Sequence, residues 1–319
     1  MQQQEFVKSA SLWGDAWKRL LKNKLAVFGL IIVAVMAVAV VIGPPIIKWA
    51  TGFEYDTIPQ DTTLTKPFPP SFQHPMGTDD KGRDILARVL QGGRISLMVG
   101  IISTFVSLIV GVSYGAIAGY LGGRIDNFMM RVVDIIYAIP YILIVIVLLS
   151  VFGGPNTPEW IQAITNSIGG SSTAGLNQIF LLFFALGLVS WLTMARVVRG
   201  QILSLKNQEF VLAARATGVS TPAIIFRHLV PNALGPVIVY ATLTIPSVML
   251  SEAFLSFIGL GVQPPFASWG SLCADGIKNI SVYPWQLIFP GVTMALTLFS
   301  LNFLGDGLRD ALDPQTRKF

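Results

Sequence analysis

The chain has 319 residues, 53% of them hydrophobic and only 12% charged, with a mean hydropathy of +0.64. That charge fraction is about half of what a soluble globular protein carries, and the apolar residues fall in long runs, which excludes a soluble enzyme or nucleic-acid-binding domain and marks an all-α integral membrane protein. The net charge of +5 then reads as basic loops held inside and facing anionic membrane lipid, and the sole cysteine, Cys273, excludes an intramolecular disulfide and a cysteine-based metal cluster.

Residues 1–24 are polar and basic, with Lys18, Arg19, Lys22 and Lys24 just before the first apolar run. Trp13 and Trp17 are four apart and share one face of a predicted interfacial helix. Residues 25–42 form the first predicted span, longer than the apolar core of a signal peptide and therefore a retained anchor. Residues 43–94 read as a polar extracytoplasmic segment, extended or looped around Pro59, Pro67, Pro69, Pro70 and Pro75. A short amphipathic helix is predicted over 84–90.

Five further spans follow, at 95–118, 132–152, 179–195, 234–258 and 287–304, each near the length that crosses about 30 Å of hydrocarbon at roughly 1.5 Å per residue. With the loop 196–233 they make a five-helix core over 95–304, followed by a tail at 305–319. The Gly-, Ser- and Asn-rich stretch 153–178 is predicted to be a flexible loop. Six spans put both termini on one side. If that side is the cytoplasm, the inner segments carry 15 Lys and Arg and the outer ones 7, a bias that favours cytoplasmic termini. Gly111 and Gly115 form a G-x-x-x-G pair suited to close helix approach, and Pro140, Pro236 and Pro246 are candidate kinks.

Residues 206–232 are the longest polar interruption between apolar segments that still reads as ordered. Helix formers run from Gln208 to Thr217, with Glu209 near the start and Arg215 near the end, an order that suits the helix dipole. Gly218 stands where a left-handed cap is needed. A second short helix is predicted from Ser220 or Thr221, with Pro222 in its first turn and Pro231 at its end. Two short helices then form a bent, basic knob. A DNA-reading helix-turn-helix has a similar outline but needs a soluble domain around it.

No catalytic constellation emerges. The chain has no G-x-x-x-x-G-K-[ST] phosphate loop. His74 and His228 are far apart and have no partners at ligand spacing, so no metal site is expected. Two acids fall in or near spans, where an ionised group is expensive unless it meets water or a partner. Asp134 is expected to pair locally with Arg131. Glu252, near the outer end of the fifth span, either lines a path or reaches the interface.

The loop resembles the cytoplasmic coupling loop of bacterial ABC importer permeases, Glu-Ala-Ala, three residues, Gly, nine residues, Ile-x-Leu-Pro. Leu212, Ala213, Ala214, Gly218 and Pro231 stand at that spacing, with Leu212 for the glutamate, His228 for the isoleucine and Val230 for the leucine. Two further stretches resemble C-type subunits of the dipeptide, oligopeptide and nickel permeases. One runs from His74 through Gly77, Asp79 and Arg83 to Gly93 and Leu97; the other runs from Leu255 through Gly261 and Pro265 to Trp269 and Gly270.

The resemblance implies a type I ABC importer permease with six transmembrane helices and a cytoplasmic coupling helix, in a bacterial or archaeal inner (plasma) membrane. The implied partners are a B-type permease subunit, two ATPases that bind ATP and Mg, and an extracytoplasmic solute-binding protein. The implied substrate is a dipeptide or oligopeptide, with nickel or glutathione as alternatives. Glu209, Leu212, Ala213, Ala214, Arg215, Gly218 and Arg227 are the implied ATPase-coupling residues. Glu252 is the candidate for the path. A gradient-driven secondary transporter is the competing class; it calls for more paired charges within the spans.

Overall fold

The computed structural model describes residues 12–59, 66–152, 157–169 and 173–312. The described residues fold into helices, and the only strand-like pairing among them is an isolated bridge between Thr78 and Asp84. Among the described residues, five helices are long and apolar enough to cross a bilayer, and one pair bent by 84° is so only when its two helices are taken together. The part of the tail from 313 onward lies outside the described residues.

Helix α1 (Leu12–Leu20) carries Asp15 in its first turn and Lys18 and Arg19 in its last. It buries Ala16 and Leu20 against Ala311 of α12 (Trp285–Leu312) and leaves Trp17 exposed. Helix α2 (Lys24–Thr51) starts where the Asn23 side chain accepts the Leu25 and Ala26 amides. It does not stop at 42 as predicted. It continues through Pro44 and Pro45, held against α3 where Gly43 abuts Leu90, and stops where Gly52 turns to φ +76°.

Helix α3 (Ile85–Leu121) merges the predicted short helix and the second span into one rod of 37 residues, capped by Asp84, whose carboxylate accepts the Ala87 amide. Gly92 and Gly93 do not break it. They are where the chain around Trp269 lies on the helix, and a methyl group at Gly93 would sit 2.5 Å from the Trp269 ring. The third predicted span is two helices, α4 (Gly123–Ala138) and α5 (Tyr141–Phe152), bent by 84° at Ile139–Pro140. Pro140 thus gives a full break where the sequence predicted a kink.

The stretch expected to be a flexible loop holds a helix, α6 (Glu159–Gly169), anchored by the fully buried Ile161 and by Trp160 edge-on to Phe184 at 5.4 Å. Apolar anchoring overrides the loop-like composition there. Helix α7 (Thr173–Leu205) is the central partner of α3. Gly111 and Gly115 make this contact possible. A methyl at Gly111 would sit 2.6 Å from Met194 Cβ, and one at Gly115 would overlap the Ala195 carbonyl oxygen. Close backbone approach of this kind replaces the hydrophobic drive that lipid cannot supply.

Beyond α7 come α8 (Glu209–Ala216), the single turn α9 (Thr221–Ala223), a π-helical turn (Ile224–Leu229) and α10 (Val230–Phe257). Helix α11 (Trp269–Ile277) is short and lies against α3, α10 and α12. Its first residue, Trp269, is fully buried, with its amide donating to Ser96 Oγ at 3.0 Å and its indole N–H to the Val89 carbonyl at 2.8 Å.

Candidate functional site

The coupling stretch is built on one inward stripe. Val211 and Ala214 of α8 are buried with Val198 and Ile202 of α7 and with Ile224, Ile225 and Leu229 of the π turn. Spacing of three residues puts Val211 and Ala214 on one face. The remaining α8 positions Glu209, Phe210, Leu212, Ala213 and Arg215 are exposed, as are Gly218, Phe226 and Arg227. Glu209 and Arg215 occupy the first and last turns, as the dipole argument requires.

Helix α8 ends in a compact turn. The Gly218 amide donates to Arg215 O and the Val219 amide to Ala214 O, each at 3.0 Å, and Gly218 has φ +78°. Nothing lies within 4 Å of a methyl group placed on Gly218, so its backbone conformation alone demands glycine. Ser220 occupies the next N-cap without a side-chain hydrogen bond, and Pro222 stands in the first turn.

The second loop helix is not separate, and Pro231 is not its end. Residues 221–257 run on continuously through the π turn into α10. The wider π register, with the Val230 amide donating to Ile225 O, places Pro231 in the first turn of α10, where a missing N–H is tolerated. The Asn232 side chain donates to the His228 carbonyl at 2.6 Å. The loop is thereby a rigid extension of a span. Arg215 also turns back on the core: its Nε donates to the Tyr120 hydroxyl at 3.2 Å and its guanidinium lies 5.0 Å from the Tyr120 ring centre.

Phe210 (38% exposed) and Phe226 (47%) are the parts of this surface that sequence reasoning missed. Helical periodicity does not reveal them, since Phe210 stands one turn before buried Ala214 and Phe226 belongs to the π turn. Exposed aromatics beside exposed Leu212 mark a contact surface.

A cavity of about 520 Å³ lies where the α4–α5 elbow meets α7 and α10. Tyr137 and Pro140 come from the elbow, Ser190 from α7, and Tyr240, Thr244 and Ser251 from α10, and no charged side chain lines it. Ser190 donates its hydroxyl hydrogen to Leu186 O, Thr244 to Tyr240 O and Ser251 to Ser247 O. These hydroxyls therefore offer the cavity acceptor oxygens.

Glu252 is not part of that lining. It is 1% exposed, and its Oε1 accepts the Ser256 hydroxyl at 2.7 Å and the Ser268 hydroxyl at 2.6 Å. Ser268 also caps α11 by accepting the Ser271 amide. The carboxyl joins the end of α10 to the start of α11. Asp134 pairs not with Arg131 but across helices with Arg196, at 2.7 Å. One helical face lower, Arg199 grips Asp126 with a two-pronged fork at 2.5 and 2.6 Å. Helix α4 is thus tied to α7 by two ion pairs that its sequence neighbours do not reveal.

At the other end of the molecule, Asp79 pairs with Arg83 at 2.7 Å and with Arg88 at 3.1 Å, while His74 Nδ1 meets Asp84 at 2.8 Å. Asp80 accepts from the side chains of Asn279 and Gln286. The segment before α3 is therefore bolted to the α11–α12 connection.

A family profile described as binding-protein-dependent transport system inner membrane component matches residues 111–318, and one described as the N-terminal TM domain of oligopeptide transport permease C matches residues 11–75. The chain is 45% identical to the oligopeptide transport system permease protein OppC of Haemophilus influenzae over 98% of its length and 91% of that protein. It is 46% identical to OppC of Escherichia coli K12 over 98% of this chain and 94% of that one. The dipeptide transport system permease protein DppC of Bacillus subtilis is 43% identical over 97% and 88%. Among solved structures, an inward-facing MetNI methionine ABC transporter aligns over 72% of this chain and 98% of that one, at 20% identity and a TM-score of 0.49.

Proposed function

The chain belongs to the binding-protein-dependent transport system inner membrane component family, as an ABC permease of the oligopeptide C type, and from that premise we propose that it is the transmembrane subunit of an ATP-driven importer of dipeptides or oligopeptides. The observation that carries the reading is the α8 surface. The short helix α8, fixed from behind by Val211 and Ala214, presents Phe210 and Leu212 outward, and after the compact Gly218 turn the π turn that continues into α10 presents Phe226 and Arg227. An ATPase seated there would reach α10 through that single hydrogen-bonded turn.

In this reading both termini and α8 are cytoplasmic, and the segment before α3 and α11 face the solute-binding protein. The cavity beside the Pro140 elbow is this subunit's part of the path shared with a B-type permease. Two ATPases bind ATP and Mg. Their closure, passed through Glu209 to Gly218 and the residues around Arg227, rocks the spans between outward- and inward-open states. Glu252 serves this motion as an internal tie rather than as a peptide ligand.

The test is purification of the chain from its native membrane in mild detergent, followed by ATPase measurements on the recovered complex. A second six-span permease and ATPase subunits should co-purify, and peptide-loaded binding protein should stimulate hydrolysis. Recovery of the chain alone, after crosslinking has excluded detergent loss, would favour a gradient-driven transporter.

A further inference from the structure

The Asp134–Arg196 pair stands out because it is charged, exposed and next to a cavity that no charged side chain lines. Asp134 is 65% and Arg196 39% exposed on the side chain. Arg196 stands just past the predicted fourth span (179–195) and Asp134 at the start of the third (132–152), so both belong at the inner ends of those spans. Val133, next to Asp134, is fully buried against Trp191 and Ala195, which holds this part of α4 on α7. An exposed ion pair is too costly to face hydrocarbon. It faces water, and it adjoins the cavity: the Arg196 guanidinium lies 4.4 Å from the centre of the Tyr137 ring, which lines the cavity wall.

The cavity is uncharged. Its Ser190, Thr244, Ser247 and Ser251 hydroxyls have given their hydrogens to the helices, leaving acceptor oxygens beside the Tyr137, Tyr141 and Tyr240 rings. A peptide ammonium is satisfied by such a lining. A peptide carboxylate finds only neutral hydroxyl donors there, and a cation holds it more strongly. Arg196 supplies one. A single hydrogen bond, from Nη2 to Asp134 Oδ1, joins it to its partner, and its ring stacking holds the guanidinium plane in place while further N–H groups stay unused. A partly exposed pair of this kind exchanges partners at little cost.

We infer that Arg196 is a carboxylate-binding residue at the inner rim of the path, which takes the free C-terminal carboxylate of a peptide in exchange for Asp134, so that peptides leave carboxylate end first. The inference rests on the peptide-import reading above.

The test uses the complete importer in proteoliposomes, with its binding protein, and compares initial uptake of labelled trialanine with that of trialanine C-terminal amide. Because one binding protein serves every permease variant, its own selectivity cancels when acid-to-amide ratios are compared. Arg196→Gln should lower the acid-to-amide ratio roughly fivefold, the size of a partly exposed charge contact. Arg196→Lys should keep most of the preference, and Asp134→Asn should keep or raise it. An Arg196→Gln ratio equal to wild type overturns the inference. So does a wild-type ratio in the Asp134→Asn/Arg196→Gln protein, which has no cation at this place. Failure of the wild-type complex to import either peptide would instead remove the peptide-import reading, and the inference with it.

Discussion

Replacing Gly218 tests the coupling surface without touching any contact. The residue sits at φ +78°, and an added methyl group would meet nothing within 4 Å. The whole cost is therefore backbone strain, about 1–2 kcal/mol for alanine, more for valine, whose branched side chain is stiffer, and less for asparagine, which tolerates this region. What the strain opposes is the turn held by Gly218 N–H to Arg215 O and Val219 N–H to Ala214 O. At about 1.4 kcal/mol per tenfold, that turn's population shifts by roughly 5- to 30-fold. The spans lose nothing, so the amount of protein in the membrane should be unchanged. The measurement is ATP hydrolysed per peptide imported in proteoliposomes. It should rise in the order Gly, Asn, Ala, Val. A Gly218→Val protein with the wild-type ratio would refute the claim that this turn transmits force, and absence of that protein from the membrane would refute the claim that its strain is local.

Gly115→Leu should abolish stable α3–α7 packing and with it protein accumulation, because even a methyl group overlaps the Ala195 carbonyl oxygen; normal detergent stability would count against the close approach. Glu252→Gln keeps an acceptor for the Ser256 and Ser268 hydroxyls and should import normally, whereas Glu252→Ala leaves two buried hydroxyls unpaired beside a void and should cost about 3 kcal/mol or more of thermal stability. Burial, and then the charge of Glu252, pushes the Cys273 thiol up to about 11. Thiolate is the reactive form, so maleimide labelling of the intact protein should be negligible near pH 8 and rise only as pH approaches that value, while a denatured sample labels readily near pH 8. Rapid labelling of the native protein at pH 7 would show that α11 opens.

Much of this molecule follows from local sequence. Long apolar runs give the spans, a helix is predicted from Asp84, Gly218 gives a helix stop, and the G-x-x-x-G pair in α3 marks a tight helix contact. Each depends on a few neighbouring residues and on the bilayer as solvent, so composition and spacing suffice. Three-residue spacing accounts for the buried side of α8, Val211 and Ala214, and takes Ala214, one of the expected coupling residues, off its exposed face. Other features needed the fold. The first span is expected to end at 42 and the second loop helix at Pro231, yet α2 passes through Pro44 and Pro45 and the helix entering α10 passes through Pro231, because packing and a π register offset the missing donors. Asp134 finds Arg196, 62 positions away, rather than Arg131, and Glu252 finds Ser268 rather than a path. A charged side chain takes whichever partner the assembled helices bring within about 3 Å, and sequence distance does not enter that choice. Sequence alone determined the apolar make-up of the spans and the glycine stop after α8. Tertiary structure decided where the other helices end and which charge answers which, because those contacts join residues far apart in the chain.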